Sequence, residues 1–146
     1  MKALLPIVLL VVAGTFLSVQ APLNAVLARA LANGVLAAAV SFGAGFAVLL
    51  ALALVRTRLP DAAALASVPW WAWTGGVLGA FYVWTALWSV PRVGVLTVAA
   101  ALVFGQIVAA LAIDRLGLFG LPVQPVSWTR LLGASLVGLG LVLTRL

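Results

Sequence analysis

The sequence predicts an all-α integral membrane protein with five transmembrane helices. Five long apolar stretches fill nearly all of the 146 residues, 66% of the chain is hydrophobic against 7% charged, and almost no ionisable group lies inside a stretch. Soluble domains carry about 45–50% apolar residues. Backbone groups in hydrocarbon must be paired internally, and the chain lacks the alternating segments of about ten residues that build a membrane barrel, so the spans are helical. They run over residues 4–28, 35–55, 71–90, 93–113 and 129–144. Each is near the roughly 20 residues a helix needs to cross a bilayer. Residues 1–146 therefore form a single five-helix domain, and the odd count puts the termini on opposite sides.

The first stretch begins at Lys2 and passes Val19-Gln20-Ala21, the outline of a signal peptide. Pro22 would then open the mature chain, and the apolar run continues to Ala28, longer than the usual 7–15 residues of a signal core. The stretch is retained as the first span. Asn33-Gly34 closes it. The link after the second span, residues 56–69, holds Arg56, Arg58, Pro60, Asp61 and an alanine-rich run that predicts a brief interfacial helix. Trp70, Trp71 and Trp73 crowd the start of the third span, with Trp88 and Trp128 at other ends, an aromatic belt at headgroup level. Pro91-Arg92-Val93-Gly94 predicts a tight turn, and residues 117–125 loosen the passage into the fifth span.

The formal charge of +6 is spread over span ends and forms no basic patch. It reads as membrane anchoring, with no nucleic-acid partner implied. One side carries Lys2, Arg56, Arg58, Arg115 and Arg130, the other Arg29, Arg92 and Arg145, five cations against three. A difference of two specifies orientation weakly, so the chain is expected to insert both ways. With no Cys and no His, thiol redox chemistry and His-ligated metal or haem sites are not available, and no cofactor is expected. No nucleophile, base and charge stabiliser share one depth, so an enzyme is not expected.

Polar groups within the spans are few. Gln20 and Asn24 lie four residues apart on one helical face. Pro22 between them removes a backbone donor from the Ser18 carbonyl. An amide-flanked break of this kind suits a substrate-binding cavity with Pro22 as hinge, or else interhelical glue. Gln106, beside Gly105, is the other strong amide, and Tyr82, Trp84 and Thr85 form an aromatic and hydroxyl group in the third span. All six are candidate substrate-binding residues. At about 1.5 Å per residue, Gln20 lies about 6 Å and Gln106 about 4–5 Å from their span centres, in opposite halves. A second copy inserted upside down brings its Gln106 to the depth of Gln20 and Asn24, and brings Asp114 and the other copy's Arg92 to one face as an inter-subunit charge pair.

Small residues at helical spacing mark packing faces: Ala37, Ser41 and Gly45; Gly75 and Gly79; Ala101 and Gly105; Ala134 and Gly138. No Asp or Glu occurs in the core of a span, since Asp61 and Asp114 belong to a loop and a span end. Cation antiport usually rests on a buried carboxylate, so a neutral, anionic or zwitterionic solute is favoured.

Gly14 with Gln20 and Asn24, the run from Pro69-Trp70-Trp71-Ala72-Trp73-Thr74-Gly75-Gly76 to Gly79-Ala80, the Pro91 to Gly94 turn, Gly105-Gln106, Ile113-Asp114-Arg115-Leu116-Gly117 and Arg130-Leu131-Leu132-Gly133 follow one another along the chain. Together they resemble the YdcZ-like family of the drug/metabolite transporter superfamily. Arg115 stands where that family often has His, which weakens any proton-sensitive role there. The resemblance implies a bacterial inner-membrane half-transporter that pairs as an inverted-repeat, antiparallel homodimer. It also implies alternating access, with the first four helices lining the path of a small organic solute or drug. A passive channel and a non-transporting subunit of a larger complex are the competing readings.

Overall fold

The computed structural model describes residues 4–56 and 60–146; Lys2 and Arg58, counted in the charge balance above, lie outside the described residues. Every regular element among the described residues is helical: α1 (Leu4–Ala30), α2 (Gly34–Arg56), α3 (Ala62–Ala66), α4 (Gly75–Val93), α5 (Val95–Leu116) and α6 (Trp128–Leu143). Among them α1, α2 and α5 are long and apolar enough to cross a membrane, and α6 is a shorter apolar helix. The chain divides into two compact units, Met1–Arg92 and Val93–Leu146.

In the first unit α1 and α2 form an antiparallel pair through small side chains. Ala21, Asn24 and Ala25 are buried on α1, and Ala37 and Ala38 on α2. Alanines at i and i+4 let backbones approach closely, which in a membrane supplies van der Waals contact where the hydrophobic effect between helices is absent. The turn between them is a Schellman motif: Asn33 N–H donates to the Ala28 carbonyl at 3.1 Å and Ala32 N–H to the Arg29 carbonyl at 3.2 Å. Its left-handed residue is Ala32, at φ 50°. The Asn33 side chain accepts from Leu36 N–H at 2.9 Å, so Asn33 caps the second helix as well as closing the first.

The expected interfacial helix forms as α3, five residues capped by Asp61, whose carboxylate accepts from Ala64 N–H at 2.8 Å. Two boundaries differ from those expected. Helix α4 begins at Gly75, because Pro69 to Thr74 closes a 3-10 turn over Trp70–Thr74, with Ala72 N–H bonded to the Pro69 carbonyl at 2.9 Å. At its other end α4 continues through Pro91 to Val93, so the turn placed at Pro91 is absent. Gly94, at φ 80°, makes the break alone. Proline near a helix terminus removes one hydrogen bond without forcing an end. In the same way α1 runs unbroken through Pro22 in this conformation.

In the first unit α4 meets α2 through side chains. Ala38, Val83 and Leu87 form a buried cluster with Ala28 and Tyr82 against it. A Cβ at Gly79 would sit 3.4 Å from Phe42, and one at Gly34 would sit 3.2 Å from Leu87, so both glycines lie under those side chains.

In the second unit α5 packs on α6. A Cβ at Gly138 would come within 2.9 Å of the Phe104 ring, which rests on the bare backbone there. Gly117, at φ 59°, ends α5 in the left-handed conformation, with its N–H bonded to the Ile113 carbonyl. A 3-10 turn over Leu118–Gly120 and an extended segment with Pro122 and Pro125 lead to Ser127, whose side chain caps α6.

Candidate functional site

The polar groups expected to matter divide between the two units. Asn24 and Gln20 share α1 but not an environment. Asn24 is 6% exposed, on the α1 face that buries Ala21 and Ala25, whereas Gln20 lies on the exposed side of the helix. Neither amide makes a side-chain hydrogen bond among the described residues. Asn24 is thus the polar residue on an otherwise small and apolar helix face.

Tyr82, Trp84 and Thr85 are adjacent on α4 and point to different surroundings. Tyr82 packs on the Ala38, Val83 and Leu87 cluster. The Thr85 hydroxyl oxygen is buried without a partner. Elsewhere in the chain Thr15, Ser18, Thr74, Ser135 and Thr144 bond the carbonyl three or four residues back, the usual way a helix absorbs a hydroxyl. Thr85 does not, leaving a buried polar atom unsatisfied in the first unit. Trp84 lines a cavity of about 390 Å³ between α2 and α4. Helix α2 contributes Val35, Ala38, Ala39 and Phe42, and α4 contributes Val77, Ala80, Phe81 and Trp84. The lining is apolar throughout. Helical spacing does not reveal this cavity, because it depends on how far the Phe42 and Leu87 side chains hold α4 from α2.

Gln106 lies in the second unit on the exposed side of α5, with no side-chain hydrogen bond among the described residues. Since α5 ends at Leu116, Gln106 sits at mid-helix. Gln20 is about 4.5 Å from the centre of α1 at ~1.5 Å per residue.

Charged groups have partners that sequence spacing does not disclose. Arg130 pairs with Asp114 at 2.9 Å. The Arg92 guanidinium carbon lies 3.8 Å over the Trp88 ring, and its N–H donates to the Trp88 carbonyl. The Arg92 and Asp114 pairing expected across two copies therefore has competitors within one chain on both sides. Among the small residues, Gly79 and Gly138 face close neighbours and Ser41 is half-buried, while Gly45, Gly75 and Gly105 have nothing within 4 Å of an added Cβ. Among the described residues no three potential ligating side chains cluster as a metal would require.

Apolar helices of membrane-spanning length that carry isolated amides and hydroxyls define a multi-pass integral membrane protein. The profile of the family described as "Putative inner membrane exporter, YdcZ" matches residues 5–143. The chain belongs to that family of inner-membrane exporters and is a multi-pass transporter embedded in the lipid bilayer. Neither a curated protein nor a solved structure matches it.

Proposed function

We propose that residues 1–146 form one five-span domain, that two copies pair in opposite orientations, and that a small organic solute crosses between them by alternating access. The observation that carries this reading is the set of unsatisfied polar groups. Gln20 and Gln106 lie exposed on apolar helices, Asn24 sits on a buried face with no side-chain hydrogen bond, and the Thr85 hydroxyl is buried without a partner. Exposed amides in hydrocarbon need partners, and membrane proteins place such groups against a bundle interior or a water-filled path. One protomer leaves them open; a second copy and a solute between the two supply what is missing. Gln20, Asn24 and Gln106 bind the solute, Tyr82 and Thr85 shape its path, and Pro22 is the hinge where α1 lacks one backbone bond.

The fourth crossing takes α5. The third combines the Trp70–Thr74 turn with α4, since the 19 residues of α4 alone make a short span. Helix α6, 16 residues and about 24 Å long, spans by local thinning of the bilayer. Weak charge bias between the two sides permits both orientations.

The absence of native cysteine makes the test direct. Ser67→Cys places one thiol just after α3, and an impermeant thiol reagent is applied to cells. Labelling of about half the protein from outside is the expected result for dual insertion. Labelling of all or none from outside means one orientation and rules out the inverted homodimer.

A further inference from the structure

The face of α4 that lines the groove against α2 carries two further residues beyond Trp84. Val77, Phe81 and Trp84 recur at helical spacing on one face of α4, and Trp88 and Arg92 extend the same series. Beyond the apolar groove, the same face thus presents an amphipathic indole and a cation held on that indole's face, 3.8 Å from the ring centroid. The far end of the groove lies at Phe42, about 10 Å deeper than Val35 at ~1.5 Å per residue. Val35 is the second residue of α2, so the groove opens at the end of the unit that holds the turn between α1 and α2. That end carries Arg29 and Arg92, both exposed. The acid of this unit, Asp61, caps α3 beyond the far end of α2.

We propose that this groove seats one acyl chain of an anionic phospholipid, whose phosphate meets Arg92. An acyl chain suits a lining without hydrogen-bonding groups, and hydrocarbon is the medium around these helices. The charge argues for an anionic headgroup. Arg92 uses one N–H on the Trp88 carbonyl and its π-face on the ring, which leaves further N–H donors of the planar fork for phosphate oxygens. Trp88, exposed near the end of α4, is of the residue type favoured where acyl chains meet headgroups. The lipid fills the space that Phe42 and Leu87 hold open between α2 and α4.

The test is native mass spectrometry of the full-length protein in detergent, titrated with phosphatidylglycerol or phosphatidylcholine of identical acyl chains. The expected result is a retained lipid with phosphatidylglycerol bound about fivefold more tightly, the effect of roughly one cation near a phosphate. Ala39→Trp, which fills the groove, abolishes retention of both lipids. Arg92→Gln equalises the two lipids without removing them. Leu54→Trp, equal bulk at an exposed position outside the groove, leaves binding as it was and controls for folding. Equal affinity of the native protein for the two lipids overturns the proposal. So does Ala39→Trp protein that binds lipid normally. If Ala39→Trp instead converts a dimer to a monomer with lipid retention unchanged, the groove is a protein interface and the proposal also fails.

Discussion

Arg130 at the start of α6 reaches back to Asp114 at the end of α5, with 2.9 Å between guanidinium nitrogen and carboxylate oxygen. The Asp114 backbone carbonyl also accepts from Gln124 N–H at 2.8 Å, so a single residue fastens both the connecting segment and the next helix. The two side chains are 35% and 40% exposed, which limits the worth of the ion pair. A double-mutant cycle of Asp114→Asn and Arg130→Gln, read by unfolding in detergent, is expected to give a coupling of about 0.2–1 kcal/mol. A coupling of about 3 kcal/mol would mean that the pair is desolvated by contacts one chain does not make.

Gly138 and Gly105 have opposite expectations although both sit in small-residue motifs. A methyl at Gly138 would lie 2.9 Å from Phe104, so Gly138→Ala is expected to destabilise the second unit by about 1–3 kcal/mol. Phe104→Leu in the same protein should restore much of the loss. Gly105 has open space around it, and Gly105→Ala should stabilise α5 by up to about 1 kcal/mol in monomeric protein. A loss at Gly105 that appears only in the dimer would place the partner against that face. Thermal unfolding with oligomeric state monitored in parallel separates these outcomes.

Helix class and the approximate helix boundaries were legible in the sequence because hydropathy and length dominate in a bilayer. Three helices of spanning length, the brief α3 and the loosened link after Gly117 follow from that reading. The turn expected over Pro91 to Gly94 narrows to Gly94, because α4 passes through Pro91, whereas Pro22 lies within the first span as its spacing predicts and Asn33 caps α2 besides closing α1. A proline near a terminus gives up only one bond, and tertiary packing decides whether the helix goes on. The candidate site was legible as residue types only. Spacing puts Gln20 and Asn24 on one face, but burial separates them, since Asn24 is buried along with Ala21 and Ala25 while Gln20 is exposed. The cavity beside Trp84 and the unpaired Thr85 hydroxyl depend on distances between helices, which no local pattern encodes.

Ala32 offers a gain in stability. It occupies the left-handed position of the Schellman motif at φ 50°, a conformation that costs a residue with a Cβ about 1–2 kcal/mol. Ala32→Gly should raise stability by roughly 1 kcal/mol, offset in part by added freedom of the unfolded chain. Asn33→Ala loses the bond to Leu36 N–H and should cost about 1 kcal/mol. Both are measured by thermal unfolding in detergent. If Ala32→Gly is destabilising, the turn adopts another conformation in the membrane.

Thr85 separates a structural role from a transport role within one side chain. Its hydroxyl oxygen is buried and unpaired in the protomer, so removing it takes away a desolvation cost and no hydrogen bond. Thr85→Val is expected to hold or raise protomer stability, by about 1 kcal/mol at most, since valine keeps the branched shape. If the hydroxyl serves a solute between two copies, the same variant should lower transport in vesicles severalfold while dimer content stays constant. Thr85→Ser, which keeps the hydroxyl and loses the methyl, should retain transport at some cost in packing. A Thr85→Val protein that is destabilised and transports in proportion to its folded fraction would mean that the hydroxyl pairs with a helix, and the residue would leave the solute path.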